Sequence, residues 1–232
     1  NNPMQAAYVN VEDLLGELEQ VFTQYPDRNF RVGTGELTDS LALDSIVPYT
    51  ASLLPFFNRQ SNAVLELKTK SDQIENLINH SDPTNVIVSW SLNPQTIIDL
   101  EEKGTPGLTQ RLEAARACLE KGYRIGFHFD PIIIIPGWEE AYRQLVEILC
   151  DTLPIEKIEW VSLGSFRYRP SLKTIIKSRH PDTRLFTSEH LPSKDGKFRY
   201  LRPLRNQAYE TIRGYLKSRS DTLSIYLCME TQ

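Results

Sequence analysis

Short apolar runs alternate with amphipathic stretches along most of this chain. Val11, Leu14, Leu15, Leu18 and Phe22 recur at helical spacing, which predicts a helix over Val9–Tyr25. Continuous apolar runs then predict strands at Phe30–Gly33, Ala63–Thr69, Asn85–Leu92, Arg124–Phe129 and Ile158–Gly164. Between them the 3.6-residue period predicts helices at Ser45–Asn58, Asp72–Asn79, Leu108–Lys121 and Gly137–Leu149, with Asp72 as a plausible N-cap. Strand and helix in strict alternation mean a parallel sheet, and strands apolar on both sides mean that both faces are covered. After Gly164 the alternation stops. A basic helix is expected at Arg167–Ser178, a polar loop at Ser188–Lys197, a helix at Asn206–Ser218 and a closing strand at Leu223–Leu227.

The reading is therefore α/β: a partial TIM-type (β/α) barrel over residues 1–165, followed by a basic α+β C-terminal extension over 166–232. The first helix has no strand before it, so the barrel lacks its first strand in this sequence, and residues preceding Asn1 are expected to supply it.

The 232 residues, 40% of them hydrophobic, can bury a sizeable core. The longest apolar run, Pro131–Pro136, is far too short for a bilayer, so neither a membrane segment nor a signal peptide is expected. Cys118, Cys150 and Cys228 are widely separated and share no metal-ligand spacing. Each reads as a buried small hydrophobe in a reducing cytoplasm.

Charge adds a second feature. The net charge is −4, but Arg167–Arg219 contains 14 Lys/Arg against 4 Asp/Glu. That segment suits either docking on its own acidic barrel or an anionic partner such as nucleic acid. Aromatics interleaved with the cations favour nucleic acid slightly. Asp195-Gly196 suits a tight turn, so Lys194–Leu201 is expected to project as a hairpin, with Lys197, Arg199, Tyr200, Arg202 and Arg205 as the contacts.

Candidate chemistry collects at the strand ends, where parallel barrels place their sites. The first strand runs into Gly33-Thr34-Gly35-Glu36, a turn that allows close backbone approach to a ligand, with Thr38 and Asp39 beside it. Lys68, Thr69 and Lys70 end the second strand, Ser89, Ser91 and Asn93 the third, His128 and Asp130 the fourth, and Ser162 and Ser165 the fifth. Carboxylates, a cation and hydroxyls together suit an amino-acid-like ligand carrying a ribose. For His128 the simpler reading is a core histidine bonded to a neighbouring carbonyl, and for Asp130 a turn before Pro131.

Taken in order, Gly33-Thr34-Gly35-Glu36 with Asp39-Ser40-Leu41, Leu65–Lys70 and Val88–Asn93 resemble the radical S-adenosylmethionine enzymes related to spore photoproduct lyase. Glu101, Thr105, Arg111–Ala115, Gly122–Phe127, Pro131-Ile132 and Gly137-Trp138 extend the resemblance over about Ala7–Leu149. It implies a lyase-like enzyme that uses S-adenosylmethionine and a 4Fe-4S cluster, fed by a reductant, to generate a 5′-deoxyadenosyl radical. Gly35, Glu36, Thr38, Asp39, Lys70, Ser91 and Asn93 are the implied cofactor-binding residues, and DNA or another anionic substrate the implied partner. The family's C-x3-C-x2-C cluster loop is not in this sequence and is expected upstream of Asn1; no metal ligand is assigned here. Glu36 stands where photoproduct-repairing members carry a hydrogen-donating cysteine, which argues against repair of that lesion. Two other readings stay open: a nucleotide- or nucleic-acid-binding module without redox activity, and a radical enzyme for a non-nucleic-acid substrate.

Overall fold

The computed structural model describes residues 7–34, 38–80 and 82–230. Six parallel strands form the main sheet, in the order β1 (Phe30–Gly33), β2 (Ala63–Thr69), β3 (Val86–Ser91), β4 (Arg124–Ile132), β5 (Ile158–Ser165) and β9 (Ile225–Leu227). The sheet is curled into a half-barrel. Helices α1 (Val11–Gln24), α2 (Tyr49–Asn58), α3 (Glu75–Asn79), α4 (Gln95–Glu101), α5 (Leu108–Lys121) and α6 (Trp138–Thr152) connect the strands or pack on its convex face. There Leu65, Leu67, Val88, Trp90, Phe127 and Leu163 join the helices' apolar stripes in one buried core.

Because side chains alternate, the intervening residues face the concave side. Lys68 sits opposite Ser89, Ser89 opposite Gly126, Ser91 opposite His128, His128 opposite Ser162 and Ser162 opposite Tyr226. The register thus stacks polar residues of five strands in rungs across the concave wall. Glycine makes room at two places. A Cβ on Gly126 would stand 2.8 Å from the Trp160 ring, and one on Gly164 2.7 Å from the Asp130 carboxylate.

Several expected elements differ in the structure. Asp72 caps nothing, since α3 begins three residues later, after Ile74. Helix α4 follows β3, in a stretch to which the sequence reading assigned no element. Strand β4 continues through Asp130 to Ile132, so Asp130 is a strand residue and not a turn former. Arg167–Tyr168 is a short strand, β6, and helix α7 (Pro170–Arg179) starts only at a proline, the residue that suits a first helical turn. β7 (His190–Pro192) and β8 (Phe198–Tyr200) form a hairpin turning at Gly196, where φ is +76°. With β6 they make a small antiparallel sheet. Helix α8 (Arg202–Lys217) packs on α6 and delivers β9 to the main sheet.

Candidate active site at the half-barrel rim

Two connected polar layers occupy the concave side and its C-terminal rim. At the rim, Asp39 staples the loop after β1 to the end of β2. Its Oδ1 accepts from the backbone N–H groups of Leu41 (3.0 Å) and Ala42 (2.9 Å) and from the Thr69 hydroxyl (2.6 Å), and its Oδ2 from the Lys70 N–H (2.7 Å). Asp39 therefore shapes the loop and fixes where Lys70 leaves the strand. The Thr38 hydroxyl lies 3.4 Å from the Thr34 carbonyl on the exposed side. Gly35 and Glu36 lie outside the described residues.

Lys70 is anchored by a carboxylate that sequence reasoning passed over. Its Nζ lies 2.7 Å from Glu102, which also accepts from Asn93 Nδ2 (2.8 Å) and from the fully buried Arg111 (2.7 Å). Arg111 in turn donates to the Ser91 carbonyl at 2.8 Å, tying the end of β3 to α5. Asn93 Oδ1 accepts from the Tyr142 hydroxyl at 2.7 Å. Burial opposes ionisation of Glu102, but the charges of Lys70 and Arg111 outweigh it and hold its pKa below the usual carboxylate value. An ammonium has three donors. Glu102 takes one and leaves Lys70 able to bind an anionic group. The Ser91 hydroxyl has no hydrogen-bond partner among the described residues.

Below the rim, His128 is held by side chains, not by a neighbouring carbonyl as expected. Its Nδ1 lies 2.5 Å from Ser162 Oγ, and its Nε2 lies 2.8 Å from Glu66 Oε1 and 3.1 Å from Ser89 Oγ. Ser89 also donates to Glu66 at 2.9 Å, and Arg31 approaches the other Glu66 oxygen at 3.4 Å. Burial pushes the His128 pKa down despite Glu66, so the neutral ring donates from Nε2 to Glu66 and accepts at Nδ1 from Ser162. The connectivity is that of a nucleophilic triad. Ser162 is fully buried, however, so no substrate reaches it and the group is a strand-tying network.

One rung higher, the Asp130 carboxylate bonds Arg167 at 2.8 Å, with Lys68 at 3.9 Å and the Cys228 thiol beside it. Burial opposes its ionisation too, and Arg167 followed by Lys68 keep its pKa low. Cys118 alone of the three cysteines is buried; Cys150 and Cys228 are half-buried, and all are free thiols. No group of three or more His, Cys, Asp or Glu among the described residues is arranged to hold a metal ion.

The five basic-segment candidates divide. Arg199 is buried and forked onto Asp195 at 2.6 and 2.8 Å. Arg205 pairs with Glu230 and donates to the Tyr200 carbonyl, and the buried Tyr200 hydroxyl accepts from the Ile134 N–H at 3.2 Å. Arg202 is exposed and Lys197 half-exposed.

A parallel half-barrel with its polar groups on the concave wall and C-terminal rim belongs to the partial TIM-type class used by radical S-adenosylmethionine proteins. The family model for spore photoproduct lyase matches residues 1–223. The chain belongs to the spore photoproduct lyase family. It is 27% identical over 191 residues to spore photoproduct lyase of Bacillus subtilis (strain 168), covering 82% of this chain and 56% of that protein. It is 24% identical over 229 residues to that of Geobacillus sp. (strain Y412MC61), covering 93% of this chain and 66% of the relative. The chain thus spans little more than half the length of the first of these relatives. Among solved structures, a spore photoproduct lyase with bound AdoMet and dinucleoside spore photoproduct superposes with a TM-score of 0.85 at 22% identity, over 95% of this chain and 67% of that one. No helix of the described residues is long and apolar enough to cross a membrane.

Glu102 and Arg111 were within reach of the sequence: Glu101-Glu102 beside the Thr105–Arg111 stretch offered a carboxylate near a cation. Glu66 and Arg167 carried no such signal, because their partners come from other strands.

Proposed function

We propose that this chain is the larger part of a radical S-adenosylmethionine enzyme, with the cofactor's methionine end held at the rim by Lys70 and Ser91. The observation that carries this is the Lys70–Glu102 pair at 2.7 Å, which fixes an ammonium with donors to spare at the end of β2. Asp39, Asn93 and Thr38 build the same rim, and Gly35 and Glu36 complete the set that the family resemblance implies. When bound and reduced, the cofactor supplies a radical that removes a hydrogen atom from substrate. This chain's own residues orient the ligand: Asp39 sets the loop, Glu102 sets Lys70, and Arg111 holds the end of β3. Its residues do not fit the 4Fe-4S cluster, since Cys118 lies on α5, Cys150 on α6 and Cys228 just after β9. In this reading the cluster ligands are not among the residues of this sequence, a reductant supplies the electron, and the protein is cytoplasmic.

The substrate class we infer is a nucleic acid lesion. It rests on family membership and on the cationic C-terminal segment; which lesion is altered, and what donates hydrogen in place of a cysteine at position 36, are separate questions. Isothermal calorimetry with S-adenosylmethionine tests the rim. Lys70→Ala should weaken binding by about 1.5–3 kcal/mol, the worth of a charge-assisted bond to the ligand carboxylate. Unchanged affinity in both Lys70→Ala and Ser91→Ala removes the rim from the site and favours a binding module without redox activity.

A further inference from the structure

Resting on the nucleic-acid reading above, we propose that helix α7 is the track on which the phosphate backbone of duplex DNA lies, with Arg169, Lys173 and Lys177 as its contacts. Arg167, Arg199 and Arg205, which the basic segment also contributes, are spent on Asp130, Asp195 and Glu230. Helix α7 is different. It has no buried residue, and Arg169, Lys173 and Lys177 are exposed and carry no ion pair among the described residues.

Lys173 and Lys177, four residues apart, share one helix face and stand about 6 Å apart along the axis at 1.5 Å per residue, and Arg169, the extended N-cap residue, stands just ahead of the first turn. Duplex DNA presents one phosphate per about 3.4 Å of helix axis on each strand, so three cations in a row match a short run of phosphates. Residues 169–187 contain five Lys/Arg and one Asp, whereas a face evolved only for solubility mixes its signs. Like charges four apart on a helix repel. Here both ammonium groups sit over one ring, with Lys173 Nζ 5.7 Å and Lys177 Nζ 5.9 Å from the Phe186 centroid. No carboxylate among the described residues pairs with either. The Phe186 ring offsets part of that repulsion, and an anion laid along the helix would remove the rest.

Location is the second observation. Helix α7 leaves the C-terminal end of β5 through β6, and the turn after it is pinned to the end of α4, where Glu101 accepts from the Thr183 hydroxyl and the Arg184 N–H, each at 2.7 Å. Ser188 reaches the Ile134 carbonyl just beyond β4. The turn that follows α7 is thereby tied to the residue next to Glu102, the carboxylate that anchors Lys70. Next to Phe186 lies Tyr168, 4% exposed, whose hydroxyl lacks a partner among the described residues, as does His190 Nε2. The face thus combines cations that lack a carboxylate partner with the half-buried ring of Phe186, as nucleic-acid surfaces combine charge with aromatic rings.

The test is fluorescence anisotropy with a labelled 20-base-pair duplex across a salt series. We compare this chain, Arg169→Gln/Lys173→Gln/Lys177→Gln, and the hairpin variant Lys197→Gln/Arg202→Gln. With each phosphate contact worth a slope of about −0.9, the α7 variant should lose roughly two to three units of log-log slope while its circular dichroism stays unchanged. An unchanged slope in the α7 variant, or an equal loss in the hairpin variant, overturns the proposal. Calorimetry with S-adenosylmethionine on the same α7 variant separates the two readings: a lost DNA slope in a protein that never binds the cofactor leaves the track standing and removes the rim as the cofactor's site.

Discussion

Arg111, with none of its side chain exposed, meets Glu102 at 2.7 Å directly behind the ammonium of Lys70. The rim's cation is thus held by a buried pair reaching from α5 to the end of α4. Removing one member of such a pair strands the other charge away from water. Arg111→Leu should therefore cost about 3–5 kcal/mol in urea unfolding. A loss below about 1 kcal/mol would mean that Glu102 is satisfied without it.

His128 gives the protein a signature in mild acid. Its pKa is pushed below the ordinary 6.5 by burial, so as pH falls the unfolded chain takes up a proton that the folded one refuses. Stability should decline as pH drops below 6.5. The carboxylates Glu66, Glu102 and Asp130, all depressed in the fold, add their loss only in stronger acid, as pH falls below their ordinary values near 4. Urea midpoints at pH 7.5 and 5.5 should therefore differ less in His128→Gln than in the native chain. Equal differences would place His128 outside this effect.

Gly164 faces Asp130 so closely that any side chain must push the carboxylate aside. Gly164→Ala should cost about 1–3 kcal/mol through overpacking and loosen the bond from Arg167. The double variant Gly164→Ala/Asp130→Ala should recover part of that loss; a purely additive result would locate the strain elsewhere.

Arg199 and Arg202 should behave oppositely although they are three residues apart. Arg199 is buried between Asp195 and the Met229 carbonyl, so Arg199→Ala should lower the melting temperature. Arg202 is exposed, and Arg202→Ala should leave the melting temperature unchanged. Equal behaviour would contradict the burial assigned to Arg199.

The parallel strands were legible because each is an apolar run bounded by turn residues, and the rim followed from the rule that strand ends carry chemistry. Lys70, Ser91 and Asn93 lie at those ends. What sequence could not supply is the pairing across strands. Glu66 and His128 are 62 positions apart in sequence, and Asp130 and Arg167 are 37 apart, so neither pair leaves a local periodicity. The same limit applies to the basic segment. Composition marked it as cationic, but the folded contacts decide that Arg199 and Arg205 are structural and that Lys173 and Lys177 carry no ion pair among the described residues. Helix α7 was placed three residues early because Pro170 reads as a breaker within a helical pattern and as a starter only at its first turn.

The central claim is radical S-adenosylmethionine chemistry at the Lys70 rim. Its most direct measurement is 5′-deoxyadenosine formed from S-adenosylmethionine under a strong reductant, by the protein prepared without oxygen at the full length of its relatives. We expect iron in the preparation, 5′-deoxyadenosine above the protein-free blank, and at least a tenfold lower yield from Lys70→Ala at subsaturating cofactor. A full-length protein that holds iron yet forms none, or a Lys70→Ala variant that forms as much as the native protein, would contradict it.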